Sequence, residues 1–286
     1  MTLGLHAWTV HPFTACSLPS SDRGRGARSS SELIFVIRPR GGFTARLAHL
    51  VESLPNTKVR VLLDGPYGGV DVKALQNSKR TLVIAGGSGA GWTLPFISSF
   101  LRHTAKDLSS TADARPSQSM KVILATRDML TTKWFEEEVQ RLLDSIPTTE
   151  PKPTLDIEIY YTGSKADMAE PRGTEQLLKV LNESPKSAPK LEPDQITSYV
   201  SKSDESDQNL VQRVQHIQHV DSRPDLVSII QEEVGSISQS QPLGVFVCGP
   251  LSMQSDVANT VAFEQLHIAK KGTGDVVLHM EHFSWA

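Results

Sequence analysis

From residue 78 onward, short apolar runs alternate with longer mixed stretches along the chain. Continuous apolar runs such as 82–85 and 244–248 are typical of parallel strands that are buried on both faces. The alternation predicts a mostly parallel sheet covered by helices, with ligands at the carboxyl ends of the strands. Strands are predicted at 81–85, 121–126, 155–162, near 212–220, 244–248 and 275–280, and helices at 91–104, 131–145, 174–182, 224–235 and 250–269.

The first 77 residues have a different pattern. Strands are predicted at 33–37 and 59–63, with a short helix at 43–51 between them and glycine pairs in the turns. This order suggests the end of a small β-barrel that is capped by a helix. The apolar residues within 1–18 look like a strand without its neighbours, so we expect earlier barrel strands to precede it.

Two stretches are too polar to belong to a packed core. Residues 105–119 are predicted to form a polar loop. Residues 183–211 are rich in Ser, Pro and charged residues, and we expect disorder there because so few apolar groups cannot offset the entropy of ordering. The predicted domains are therefore 1–77 and 78–286, the second with an insertion at 183–211.

Composition and charge narrow the functional classes. The net charge is −3 over 286 residues, which gives no reason to expect a nucleic-acid partner. Cys16 and Cys248 are too few and too far apart for a disulfide framework, which favours a reducing compartment. No apolar run approaches the roughly 20 residues that cross a bilayer, so the chain as written is expected to be cytoplasmic. Two histidine pairs have ligand-like spacing but lack Cys or acidic partners, and no metal site is predicted.

A glycine-rich turn follows the first strand of the second domain. Gly86, Gly87, Gly89 and Gly91 permit positive φ and a close approach to the backbone. Strand, turn and helix N-terminus together are typical of an anion site, because free N–H groups and the helix dipole face the ligand. A plain tight turn between strand and helix is the alternative.

Several short motifs stand in one order along the chain. They are HPFTACS at 11–17, RPRGGFT at 38–44, DGPYGG at 64–69, GGSGAGWTLPF at 86–96, ATRD at 125–128, SRPDL at 222–226, VFVCGPLSM at 245–253 and EHFSW at 281–285. This set closely resembles the cytosolic half of fungal ferric reductases, which belong with the NADPH oxidases in the ferredoxin-NADP reductase superfamily. The resemblance implies an α/β fold, with a partial FAD-binding antiparallel β-barrel followed by a Rossmann-like parallel α/β NADP-binding domain.

The resemblance assigns flavin-binding roles in the first domain. Phe13 would pack on the isoalloxazine and Thr14 would contact the flavin N5 region, and Thr14 therefore counts as a catalytic candidate. Gly42, Phe43 and Thr44 match the turn that holds the flavin pyrophosphate, where Arg38 and Arg40 could add charge-assisted contacts. The flavin candidates are His11, Pro12, Phe13, Thr14, Ser17, Arg38, Gly42, Phe43 and Thr44. The alternatives are a strand with a buried Phe and a solvated basic turn.

The same resemblance places NADPH on the second domain. Arg127 and Arg223 would meet the 2′-phosphate, although Ser222 replaces the glycine of the family's Gly-Arg-Pro motif. Cys248 would lie beside the nicotinamide as the second catalytic candidate, and Phe283 or Trp285 would cover the flavin. The candidates are Gly86, Gly87, Ser88, Gly89, Gly91, Thr93, Arg127, Arg223, Cys248, Gly249, Pro250, Phe283 and Trp285. Solvated arginines and a structural cysteine are the alternatives.

The implied function is electron transfer from NADPH through FAD. In full-length relatives the acceptors are haems in a transmembrane bundle and then ferric or cupric chelates, which would place this part at the cytosolic face of the plasma membrane. The bundle is absent from this chain, so a truncated nucleotide-binding remnant without activity is an alternative. A superoxide-producing NADPH oxidase is another, but the GWTLP and EHFSW motifs favour a metalloreductase.

Overall fold

The computed structural model describes residues 11–18, 32–65, 67, 69–70, 75, 77–109, 118–145, 154–163, 216–237, 242–271 and 274–281. Its centre is a sheet of six strands that are all parallel and lie in the order β4-β3-β2-β1-β5-β6. The strands are β1 Arg80–Gly86, β2 Ser119–Thr126, β3 Thr154–Tyr161, β4 His216–Val220, β5 Leu243–Cys248 and β6 Val276–Glu281. The predicted parallel α/β sheet is confirmed.

The chain order of the strands fixes where a ligand can bind. From β1 the chain steps outward to β2, β3 and β4, and it then crosses back to β5 on the other side of β1. The strand order therefore reverses between β1 and β5, and in open α/β sheets the crevice at such a reversal is the ligand site. The loops that follow β1 and β5 lie at this crevice.

Helices cover both faces of the sheet. They are α2 Ala90–Ser109, α3 Met129–Asp144, α4 Leu226–Gly235 and α5 Leu251–Lys271. One buried cluster joins alternate strand residues such as Val83 and Val122 to α2 and α3. The other joins Leu82 and Ile84 to α4 and α5. This division follows from the strand periodicity, because successive side chains point to opposite faces.

Some boundaries differ from the prediction. Helix α2 runs to Ser109, so the first part of the predicted polar loop at 105–119 is helical. Helix α2 begins at Ala90, one residue earlier than predicted, and contains Pro95. The predicted helix at 174–182, the insertion at 183–211 and the start of the strand near 212–220 lie outside the described residues.

The described residues before 66 include one helix, α1 Gly42–Ser53, which confirms the short helix predicted at 43–51. The strands predicted at 33–37 and 59–63 are wrong. Within 32–65 the only pairing is an isolated antiparallel bridge between Ala15 and Phe35. Residues 59–63 leave their apolar side chains in solvent, and Leu62 is 96% exposed. Strand-forming residues without a neighbouring strand have no ladder to join and no surface to pack on.

Candidate nucleotide and flavin site

The glycine-rich turn leads directly from β1 into α2. Gly87–Gly89 forms a short 3₁₀ helix, and α2 begins at the next residue. Gly87 has φ of +56°, and a Cβ at that position would meet no atom within 4 Å. Ser88 is exposed, whereas Gly86, Gly89 and Gly91 are buried. The open part of the turn is therefore Gly87-Ser88, where the unpaired N–H groups of a helix start can receive an anion.

The buried glycines bring chain segments together. A Cβ on Gly86 would lie 2.6 Å from Pro250 Cδ, and one on Gly249 would lie 3.2 Å from the backbone nitrogen of Gly86. A Cβ on either glycine would also come close to Met253 Sδ, at 3.2 and 2.7 Å. These two glycines let the loops after β1 and β5 touch. The predicted Gly86 and the predicted Gly249-Pro250 thus meet at the crevice.

Cys248 is the last residue of β5 and is buried. Its carbonyl oxygen would lie 2.8 Å from a Cβ on Gly89 and its sulfur 3.5 Å, so the cysteine packs directly against the glycine-rich turn. Burial, together with the nearby Glu281 carboxylate, raises the pKa of the Cys248 thiol to about 12. The thiol is therefore a neutral, compact group at physiological pH and not a nucleophilic thiolate.

Gln254 supports this loop and was not predicted from the sequence. It lies in the first turn of α5 and is 4% exposed. Its Nε2 donates to the carbonyl oxygens of Gly249 at 2.8 Å and Glu281 at 3.1 Å. Gln254 thereby joins the loop after β5 to the end of β6. A glutamine inside an amphipathic helix gives no signal that distinguishes this role from a solvated position.

Arg127 and Arg223 both lie at the carboxyl edge of the sheet. Arg127 follows β2, Arg223 comes three residues after β4, and both are exposed. Neither guanidinium has an ion-pair or hydrogen-bond partner among the described residues. Neighbouring strands lie about 4.8 Å apart. Arg127 follows β2, which is next to β1 and its glycine-rich turn, whereas Arg223 follows β4, the third strand from β1. Both arginines are thus available to an anion at this edge.

The two predicted flavin motifs come together in the structure. The rings of His11 and Phe43 stack with centroids 4.7 Å apart, which places the HPFT segment against the start of α1. Thr44 Oγ1 accepts from the backbone N–H groups of Arg40 and Gly41, at 3.0 and 3.4 Å. Gly42 has φ of +53° with open space around it. Phe13 is exposed in part, which leaves its ring available for contact.

Ser17 binds the backbone of the segment at 32–34, and Cys16 packs on the core of the sheet domain. The Ser17 hydroxyl donates to the carbonyl of Glu32 and accepts from the N–H of Ile34, both at 3.0 Å. Cys16 packs against the core cluster of α2 and α3, and its sulfur would lie 2.5 Å from a Cβ on Gly91. Gly91 therefore accommodates Cys16, a contact between residues 75 positions apart that sequence reasoning missed.

Arg38 and Thr93 each have a partner within the protein. Arg38 Nη2 lies 3.2 Å from Asp128 Oδ2, which links the segment before α1 to the start of α3. Thr93 is buried, and its hydroxyl donates to the carbonyl of Ala90 at 2.8 Å. Phe283 and Trp285 lie outside the described residues.

Among the described residues, no group of three or more His, Cys, Asp or Glu side chains is placed to hold a metal ion. None of the helices there combines the length and the apolar composition that a membrane crossing needs.

Comparison with known families matches both halves of the chain. Residues 79–262 match the ferric reductase NAD binding domain, and residues 2–71 match an FAD-binding domain. The first match contains the glycine-rich turn, both arginines and the Cys-Gly-Pro loop. The second contains the HPFT segment and the GGFT turn.

Similar proteins include several fungal ferric reductases. The probable cell surface ferric reductase kap2 of Aspergillus oryzae is 30% identical over 61% of this chain and 21% of its own length. A probable ferric reductase transmembrane component of Candida albicans is 25% identical over 96% of this chain and 35% of its own length. The chain thus spans about a fifth to a third of the length of these relatives. A solved flavohemoglobin from Malassezia yamatoensis, with bound FAD and heme, aligns with a TM-score of 0.42 and 14% identity, over 94% of this chain and 46% of its own.

Proposed function

The chain belongs to the ferric reductase NAD-binding domain family, and we propose that it passes electrons from NADPH through FAD towards a metal acceptor. The observation that supports this most is the meeting of the glycine-rich turn and the Cys-Gly-Pro loop where the strand order reverses. That crevice is where a parallel α/β sheet binds a nucleotide. The match to an FAD-binding domain over residues 2–71 supports the flavin as the second cofactor.

The residues around the crevice fit a dinucleotide. Gly87-Ser88 would receive the pyrophosphate, since the turn is open there and the first N–H groups of a helical turn have no partner within the helix. Cys248 would line the nicotinamide, because its side chain packs on the turn and carries no charge. On the flavin side, His11, Phe13 and Phe43 offer aromatic surface, and Gly42, the first residue of α1, has positive φ and open space around it.

The two cofactors would supply hydride and single-electron chemistry when bound. The protein's own residues would position and insulate them. The neutral Cys248 thiol permits close approach at the end of β5 without adding charge. Gln254 holds the loop that carries Gly249 and Pro250. Thr14 is proposed to contact the flavin at its reacting edge.

We propose NADPH as the donor in preference to NADH. Arg127 and Arg223 are exposed guanidinium groups at the carboxyl edge of the sheet, and a planar guanidinium binds a phosphate through paired hydrogen bonds. Only NADPH carries a phosphate at the 2′ position. The names of the relatives support a ferric acceptor. We propose in addition that ferric or cupric chelates are reached through haem, with this chain at the cytosolic face of a membrane.

Nucleotide titration of the purified chain tests the donor. Arg127→Gln and Arg223→Gln should each weaken NADPH binding roughly ten- to a hundredfold, the effect of losing one charge-assisted contact, and leave NADH binding nearly unchanged. Lys270→Gln is the control. Lys270 is an exposed cation at the other end of α5, next to the edge of the sheet opposite the crevice. Equal losses for both nucleotides would contradict the 2′-phosphate role.

Flavin retention after gel filtration tests the second cofactor. The described part of 32–65 has one helix, one isolated bridge and no strand, so we expect this chain to hold FAD weakly. Addition of barrel strands upstream should then raise FAD affinity. Tightly retained, stoichiometric FAD in the chain alone would contradict this expectation.

A further inference from the structure

The ion pair between Arg38 and Asp128 joins two regions that match different domain families. Arg38 precedes α1 in the FAD-binding match, and Asp128 precedes α3 in the NAD-binding match. Their charged atoms lie 3.2 Å apart. Asp128 also stands directly after Arg127, which the proposed function assigns to the 2′-phosphate. The pair therefore lies next to the expected position of the phosphate.

The carboxylate of Asp128 is fixed in place by its neighbours. It is the N-cap of α3, where Oδ1 accepts from the N–H of Leu130 at 3.1 Å and Oδ2 accepts from the hydroxyl of Thr131 at 2.9 Å. The N–H of Asp128 donates to Thr126 Oγ1 at 3.1 Å. The side chain is 22% exposed. Asp128 cannot turn away from an arriving phosphate without uncapping the helix.

A fixed carboxylate at this position opposes a phosphate. Adjacent Cα atoms are about 3.8 Å apart, so a phosphate held by Arg127 comes within about 10 Å of Asp128. The Debye length is about 8 Å at physiological salt and about 30 Å at 0.01 M, so the repulsion is partly screened at physiological salt and is strongest at low ionic strength. In dinucleotide-binding folds, an acidic residue beyond the first β-α unit favours the free ribose hydroxyl of NAD, and an arginine there favours NADP.

We propose that Arg38 is a specificity-determining residue for NADPH that acts by neutralising Asp128. The Arg38 guanidinium, which belongs to the region matched to the FAD-binding domain, neutralises the Asp128 carboxylate. That carboxylate would otherwise repel the 2′-phosphate beside Arg127. This inference rests on the proposed function, in which Arg127 holds the 2′-phosphate. Arg38, which makes the nucleotide site suitable for NADPH, would thus belong to the region that matches the FAD-binding domain.

Calorimetric titration of the full chain with 2′,5′-ADP and 5′-AMP tests this role without flavin or catalysis. The two probes differ only in the 2′-phosphate. At low ionic strength, Arg38→Gln should weaken 2′,5′-ADP binding roughly three- to sixfold, the effect of one uncompensated charge at about 8–10 Å in a largely aqueous setting, and leave 5′-AMP binding within twofold. Asp128→Asn removes the charge and retains the helix cap, because Asn and Asp are equally good N-caps. The double variant Arg38→Gln/Asp128→Asn should therefore regain the wild-type preference for 2′,5′-ADP.

Two controls separate this inference from simpler explanations. Arg60→Gln removes the same charge from the same region, and the Arg60 side chain has no ion pair among the described residues, so it should leave both affinities unchanged. Arg127→Gln tests the proposed function itself, because an unaltered preference there would remove the 2′-phosphate from this position.

With a normal loss in Arg127→Gln, two results would overturn the role of Arg38. Equal weakening of both probes by Arg38→Gln would show that the ion pair only supports the fold. A double variant as weak as Arg38→Gln would show that Arg38 reaches the phosphate directly and does not act through Asp128.

Discussion

Cys248 is a buried residue whose neutral thiol suits the proposed hydride-transfer site. Its thiol is packed at the end of β5 and faces the glycine-rich turn. Loss of hydration, with the negative charge of Glu281 as the second cause, raises the pKa of the thiol from 9.0 to about 12. A thiol that keeps its proton adds no negative charge where a nicotinamide is expected, and its small size leaves room for the ring.

This pKa shift predicts a pH-dependent contribution to stability. Between pH 9 and 12 the unfolded chain has lost the Cys248 proton while the folded chain retains it. The free energy of unfolding therefore falls with rising pH, by at most about 1.4 kcal/mol per pH unit from this group. In urea unfolding at pH 8 to 10.5, the wild type should lose stability above pH 9 more steeply than Cys248→Ala.

Cys248→Ser is the matched control, because a serine hydroxyl fills a similar space and does not titrate in this range. It should follow the flat profile of the alanine variant. A slope in both variants equal to that of the wild type would place the titrating group elsewhere.

At the scale of elements, the start of α5 is attached to the end of β6 as well as to the loop after β5. Gln254 makes both attachments through one amide nitrogen. Because Gln254 Oε1 is buried without a partner among the described residues, the side chain retains its orientation through its two donated bonds alone. The carbonyl groups of Gly249 and Glu281 are thereby both attached to the first turn of α5.

Gln254→Leu should separate these two segments. Two partly buried carbonyl groups lose their donor, which costs about 1–3 kcal/mol of stability, and the proposed nicotinamide end of the site should loosen. We expect a lower free energy of unfolding together with weaker NADPH binding. The measurements are urea unfolding and nucleotide titration on the same preparations.

Gln265→Leu provides the comparison. Its Nε2 donates to the carbonyl of Val276 at 2.7 Å, which joins α5 to the start of β6, away from the crevice. This variant should lose stability and bind NADPH normally. If both variants weaken NADPH binding to the same degree, Gln254 has no special role at the loop.

The sequence predicts the elements of the parallel sheet well for a physical reason. β1 and β5 are continuous apolar runs buried on both faces, so each strand carries its own signal. The runs at 33–37 and 59–63 carry the same signal, but no neighbouring strand pairs with them in the described residues, and Leu62 remains in solvent. Strand propensity depends on the side chains of a segment, and it does not show whether a neighbouring strand is present.

The sequence predicts only those parts of the site whose residues are close together in the chain. The glycine-rich turn and the Cys-Gly-Pro loop each have a sequence motif. The contact of Gly86 with Pro250, the bond of Gln254 to Glu281 and the ion pair of Arg38 with Asp128 join residues that are far apart in the sequence. No local pattern encodes these contacts, and they appear only once the strands are in register.

At the scale of the whole molecule, several contacts among the described residues link the flavin-matched and nucleotide-matched regions, and two of them lie near the proposed site. One is the ion pair of Arg38 with Asp128, and the other is the packing of Cys16 on Gly91 in the first turn of α2. The second contact lies immediately after the open glycine-rich turn. It brings the HPFT segment, two residues before Cys16, close to the proposed pyrophosphate position.

Gly91→Ala should disrupt this junction. The added Cβ would lie 2.5 Å from the Cys16 sulfur and 3.6 Å from the Trp134 ring, so Cys16 must move away from α2. Alkylation of Cys16 by iodoacetamide should therefore become faster than in the wild type. Burial already raises the pKa of the Cys16 thiol, and release into solvent would lower it and add to the increase.

The double variant Cys16→Ala/Gly91→Ala distinguishes steric conflict from a change in the helix itself. With the sulfur removed, the new methyl group has space, and alanine within a helix is favoured over glycine by about 1 kcal/mol. The double variant should thus be more stable to urea than Cys16→Ala alone, whereas Gly91→Ala alone should be less stable than the wild type. Additive effects of the two substitutions would mean that Cys16 and Gly91 do not pack on each other in solution.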